Sequence, residues 1–262
     1  MRLQELFETT EEDRALISLS SAIYDALQQY ADEDLDTEPE YDPDFDHIPT
    51  DTPAIVVGKI GDLFDTPVRG LDNLTIELLS PEGMREKMDK GNVDVTKGPK
   101  GDIKGIWSGD NSTVYFNKDY LGSNSLKSTI THELRHALDD VKSGGQANKV
   151  GGRYSIPRNK AYRGKTNDPE LGNVHYLAEP AEINARFTQV LHSMVPVIAR
   201  AVKLAPDQIE PAIMRAFKKS LEAHHISNLF PEKEKSRDYK RLIKRGMDFI
   251  QKETSHAKQL QK

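Results

Sequence analysis

Cysteine is absent from the 262 residues, so the chain can form neither a disulfide nor a thiolate metal site. Any metal would have to be held by His, Asp or Glu. No apolar run approaches the roughly 18 residues that a membrane-spanning helix requires. The opening Met1–Glu8 stretch, MRLQELFE, lacks the apolar core of a secretory signal. Tryptophan occurs once, and no internal repeat is present. Basic residues are missing altogether from Ala31–Asp46, which holds nine acidic residues and two prolines. That segment reads as a linker or loop. It also lacks the spaced glycine and terminal glutamate of an EF-hand loop, so calcium is not expected there.

What is present describes a polar protein that is expected to be soluble and cytoplasmic, with 36% hydrophobic and 30% charged residues. The net charge of −6 hides an asymmetry: residues 1–66 carry 18 acidic and three basic side chains, residues 215–262 carry six and 13. A basic stretch of this kind can meet nucleic acid, a membrane, an acidic partner or the chain's own acidic front. A solvated helix face is the preferred reading, and neither membrane nor nucleic acid is the expected partner. The sequence does not specify an oligomeric state.

The segment His132-Glu133-Leu134-Arg135-His136 carries the most chemistry. Ile130, Leu134, Ala137, Leu138 and Val141 form one apolar stripe at helical spacing. At about 100° per residue, His132 and His136 project together from the opposite side, which should face a cleft or water. Two imidazoles so placed can grip one Zn²⁺, and Glu133 can take a proton from water beside it. Ser125 or Ser128 is the expected helix cap, and Gly144-Gly145 the expected stop. The plainer alternative is the polar face of an ordinary amphipathic helix.

Catalytic zinc takes three protein ligands and leaves a position for water. The glycine and third histidine that a metzincin places after the motif are Asp139 and Lys142 here, so that class is excluded. Glu179 and Glu182, at the start of a later predicted helix, are the candidate third ligands. Glu179 precedes Pro180 and should be extended, so Glu182 is preferred. Its alternative role is an i,i+4 ion pair with Arg186. Asp139 and Asp140 are candidates to orient the histidines, although Arg135 can also pair with Asp139. Tyr154, Tyr162, His175 and Tyr176 are candidate oxyanion donors. His192, His224 and His225 are expected to be surface or packing residues.

With His132, Glu133, His136 and Glu182-Ile-Asn-Ala185 in place, the chain resembles the gluzincin group of HExxH zinc metallopeptidases. The likeness covers about residues 105–190 and is nearest in style to small phage and bacterial metallopeptidase-like domains. It implies a zincin-like α+β fold: a small mixed sheet packed on the HExxH helix, with a mostly helical C-terminal part. It implies Zn²⁺ as cofactor, a protein or peptide as substrate, and Glu133 as general base. If phage-encoded, the protein would reside in the host cytoplasm or the virion. The competing readings are a catalytically silent zincin-fold structural or virion-associated protein, and a nucleic-acid-associated protein using its basic C-terminal helices.

The expected organisation is an acidic helical extension over 1–50, a catalytic domain over 51–200 and a basic helical region over 201–262. Residues 11–31 should be helical, with Thr9 or Thr10 and Glu12 or Asp13 as a capping box. Further helices are expected over Ala54–Phe64, Pro81–Lys90, from Pro180, and over about 206–226 and 231–257. Leu74–Leu79, Gly105–Trp107 and Thr113–Asn117 read as strands, and Val93–Gly105 as loop. The strand pair before the motif could offer an exposed edge to an extended peptide. Residues 143–175 read as a long polar connection.

Overall fold

The computed structural model describes residues 3–31, 54–65, 68–90, 94–97, 103–144, 180–230 and 233–260. It is an α+β protein with one five-stranded mixed sheet and long helices. The chain divides into two compact units, Ala15–Gly145 and the combination of Met1–Arg14 with Gln146–Lys262. The composition-based segments 1–50, 51–200 and 201–262 follow different boundaries. Among the described residues, no helix is long and apolar enough to cross a membrane.

In the first unit the strands are β1 (Ala54–Lys59), β2 (Thr75–Leu79), β3 (Asp94–Lys97), β4 (Ile103–Ser108) and β5 (Thr113–Asn117), in spatial order β1-β2-β5-β4-β3. Among the described residues, only the β2–β5 pair is parallel. Ala54–Phe64 is thus not a helix but β1 followed by the short α2 (Ile60–Leu63). The consecutive β-branched Ile55, Val56 and Val57 favour the extended chain, and β2 completes the ladder. Val93–Gly105 is likewise not all loop, because β3 and the start of β4 fall within it. The strands β4 and β5 join across Gly109–Ser112 as expected, yet both are interior. Among the described residues the outer strands are β1 and β3, so the expected exposed edge beside the motif helix is not provided by β4 or β5.

Alternation along the strands builds two apolar clusters. Ile76, Leu78, Val114, Phe116 and Trp107 meet α4 (Asn124–Ser143) and Leu16–Leu27, the part of α1 (Leu3–Leu27) in this unit. Leu79, Ile106 and Tyr115 instead meet Met84 and Met88 of α3 (Pro81–Lys90). The helix α1 runs from Leu3 through Thr9 and Thr10, so these threonines do not cap it.

Glu77 pairs in register with Tyr115. Burial raises its carboxyl above the ordinary value, and the nearby Lys87 ammonium partly offsets this. A carboxyl raised on folding favours the native state at low pH, and that contribution is lost as pH rises through the raised value. Glu77→Gln is therefore expected to raise the thermal midpoint modestly at pH 7. Below about pH 3, where folded and unfolded carboxyls are both protonated, the effect should vanish. A lower midpoint at pH 7 would show that attraction to Lys87 prevails.

The second unit contains α5 (Pro180–Ala201), α6 (Pro206–Ala223), α7 (Ile226–Leu229) and α8 (Arg237–Gln259). Here α8 starts at Arg237 with the Ser236 hydroxyl accepting from the Tyr239 amide at 3.2 Å, not at Pro231, which lies outside the described residues. The apolar stripes hold Phe187, Val190, Leu191 and Met194 of α5, Ile213 and Phe217 of α6, and Leu242 and Phe249 of α8. Helices α6 and α8 meet closely at Gly246, where a Cβ would lie 2.3 Å from the Phe217 ring.

A buried polar clamp crosses this unit. The Arg245 guanidinium donates to both Asp13 carboxylate oxygens and, at 2.6 Å, to Asn184 Oδ1. It also stacks 5.2 Å from the centre of the Phe187 ring. Nearby, Lys252 donates to Glu11 at 2.8 Å and holds that carboxyl below its usual range. Arg14 pairs with Glu253. Part of the basic C-terminal charge therefore does meet the acidic front. The acidic run 32–46 itself lies outside the described residues.

Candidate metal centre

The helix that carries the HExxH segment is anchored at both ends. Ser123, not Ser125 or Ser128, is its N-cap, with its hydroxyl accepting from the Leu126 amide at 3.2 Å. Two residues before Ser125 and five before Ser128, Ser123 has the extended backbone that a cap requires. Gly144 closes the other end in the left-handed conformation at φ 63°. Between them, every residue from Thr129 to Leu138 is buried. The histidine face, expected toward a cleft or water, is therefore enclosed.

His132 and His136 are 4% and 3% exposed, and their Nε2 atoms lie 2.9 Å apart. The rings stand nearly perpendicular, at 76°. Two neutral imidazoles in this arrangement share one proton as a hydrogen bond, or they direct two lone pairs toward one cation. Two imidazoles on a tetrahedral zinc, at the usual Zn–N length, would have nitrogens about 3.3 Å apart. The observed pair is within a few tenths of an ångström of that spacing, so a small ring rotation separates the two states.

Glu133 is wholly buried and rests on the sheet at Gly105 of β4. Arg135, at 3% exposure, pairs with Asp139 at 2.8 Å. The Asp140 carboxylate lies against Gly109, in the turn between β4 and β5, where a Cβ would meet Oδ2 at 2.8 Å.

Glu182 occupies the first turn of α5 and is 1% exposed. Its Oε1 accepts from Arg186 Nε at 2.5 Å, the i,i+4 pair anticipated as its alternative role. Two residues on, Asn184 is held by Arg245, so this turn is fixed from within the helix and from α8. Within the unit Ala15–Gly145, His132 and His136 are buried nitrogen donors, and in the other unit Glu182 is a buried carboxylate. Two imidazoles and a carboxylate are a donor set suited to zinc. Tyr154, Tyr162, His175, Tyr176 and Glu179 lie outside the described residues.

Two contributors were not anticipated. Gly105 had only the signal of a glycine at the start of a predicted strand. The Arg245 clamp had a clearer one, because Asp13 and Arg245 each sit on the apolar stripe of their own helix. Compared with models of known protein families, with curated proteins and with solved structures, the chain matches none of them.

Proposed function

We propose that the chain is a zinc-dependent metallopeptidase of zincin-like type, in which His132, His136 and Glu182 hold one ion and Glu133 is the general base. The observation that carries the reading is the buried imidazole pair, with Nε2 atoms 2.9 Å apart and a buried glutamate between them in sequence. When bound, the ion supplies a Lewis acid and brings the pKa of a water toward neutrality. Glu133 accepts a proton from the attacking water and returns it to the leaving amine. Glu182 contributes negative charge that balances the cation, with Arg186 fixing its orientation. Tyr154 and Tyr176 remain the candidates to donate to the developing oxyanion.

Metal removal tests this directly. The purified chain is expected to hold one zinc per molecule by elemental analysis and to hydrolyse an unstructured protein such as casein. A chelator should abolish hydrolysis, and added zinc should restore it. His136→Ala should lose the metal outright, and Glu182→Gln should weaken its affinity by one to two orders of magnitude. A chain that binds no zinc, or whose hydrolysis ignores the chelator, would exclude the reading.

The Glu182–Arg186 ion pair favours one alternative, a structural protein of the same fold without turnover. Zinc uptake with no cleavage of any peptide in a broad library would decide for it.

A further inference from the structure

Gly105 lies inside β4, paired with Thr96 on one side and Phe116 on the other. Its φ is outside the left-handed range, so its conformation does not call for glycine. A glycine inside a strand weakens that strand, and close approach of another element is a recurrent reason for one. Here α4 packs on β4. A Cβ at Gly105 would lie 2.6 Å from Thr129 Cγ2, 2.9 Å from Glu133 Cγ and 3.1 Å from Glu133 Oε1.

Neither neighbour is placed to yield. The Thr129 hydroxyl donates to the Ser125 carbonyl at 3.0 Å, which fixes a side chain already stiff at χ1. Glu133 has no exposed surface. The two residues are one helical turn apart and descend together onto the bare backbone of β4.

We infer that Gly105 is a positioning residue for Glu133: its missing side chain leaves the notch in β4 that sets where the carboxylate stands. The catalytic half of this inference rests on Glu133 being the general base, while the contact itself does not. Gly105 has no side chain with which to hold an ion or a substrate. It acts only by determining how deeply Glu133 seats, and any larger residue lifts the carboxylate away from the strand.

The test uses the full-length chain with zinc bound and, separately, stripped of metal. Gly105→Ala is expected to lower kcat on the order of a hundredfold, as a displacement of about 1 Å does. KM and zinc stoichiometry should stay unchanged. Should that variant fold poorly, Gly105→Ala with Thr129→Ser removes the methyl clash and leaves the Glu133 clash alone. It should regain stability while kcat stays low.

An activity-independent readout comes from thermal midpoints of the metal-free proteins. Gly105→Ala should lower the midpoint by several degrees in the natural sequence and by clearly less in a Glu133→Ala background. Strictly additive midpoints, or a folded Gly105→Ala enzyme with full kcat, would overturn the inference. Coupled midpoints in a chain without peptidase activity would uphold the contact and reject the hydrolase reading, so the two failures are separable.

Discussion

Glu133→Gln is expected to retain one zinc per chain and to lose peptide hydrolysis. The substitution exchanges one carboxylate oxygen for an amide nitrogen at nearly constant volume, so the notch at Gly105 stays filled and no cavity opens. The two imidazoles are untouched, which keeps metal uptake intact. On the proposed mechanism, what disappears is the ability to accept a proton from water and hand it to the leaving group. General acid–base catalysis of this kind is worth roughly 10²–10⁴-fold. The drop should therefore appear in kcat with little change in KM, because a general base, the role proposed for Glu133, acts in the transition state rather than in ground-state binding. Elemental analysis, thermal denaturation and steady-state proteolysis on one preparation separate the possibilities. A fully active glutamine variant would remove Glu133 from the mechanism.

Loss of the Arg245 side chain should be the most damaging single change to stability. Asp13 has no exposed surface and Arg245 only 3%, so neither can turn to water for compensation. Arg245→Ala removes the donor from which both the Asp13 carboxylate and the Asn184 carbonyl now accept. Breaking one partner of a buried pair costs about 3–5 kcal/mol. Urea titration would read this as a lower midpoint at similar slope. The double replacement Asp13→Leu with Arg245→Met should recover much of the loss, since apolar substitutes of similar volume are often neutral or better than a buried ion pair. A single-variant loss under about 1 kcal/mol, the range of exposed pairs, would show that the clamp is solvated. Because Asn184 is two residues from Glu182, Arg245→Ala should also weaken zinc affinity before the protein unfolds.

The differences between sequence and structure share a cause. The α4 helix was readable because its apolar stripe, its histidine spacing and its glycine stop all reinforce helix. Its start is Ser123 and not the expected Ser125 or Ser128, because any of these serines can cap and only backbone conformation selects among them. The expectation of a helix over Ala54–Phe64 fails because a short apolar run fits a helix or a buried strand alike. Pairing with β2 settled it. The strand β3 has little propensity of its own in Asp94–Lys97 and owes its extended form to β4. Sheet order was invisible for a similar reason, as pairing partners far apart in sequence leave no local periodicity.

The residue pattern alone determined that α4 is a helix, that two imidazoles share one side of it with a glutamate between them, and that any cation must be held by nitrogen and oxygen. These follow from helical periodicity and composition, which act locally. Tertiary structure decided what lies around them. It enclosed the histidine face that periodicity assigned to a cleft or water, laid Glu133 against a bare strand, and locked the turn of Glu182 through an arginine 63 residues further along the chain. Burial and close packing arise from contacts between distant segments, and no local pattern encodes which segments will meet.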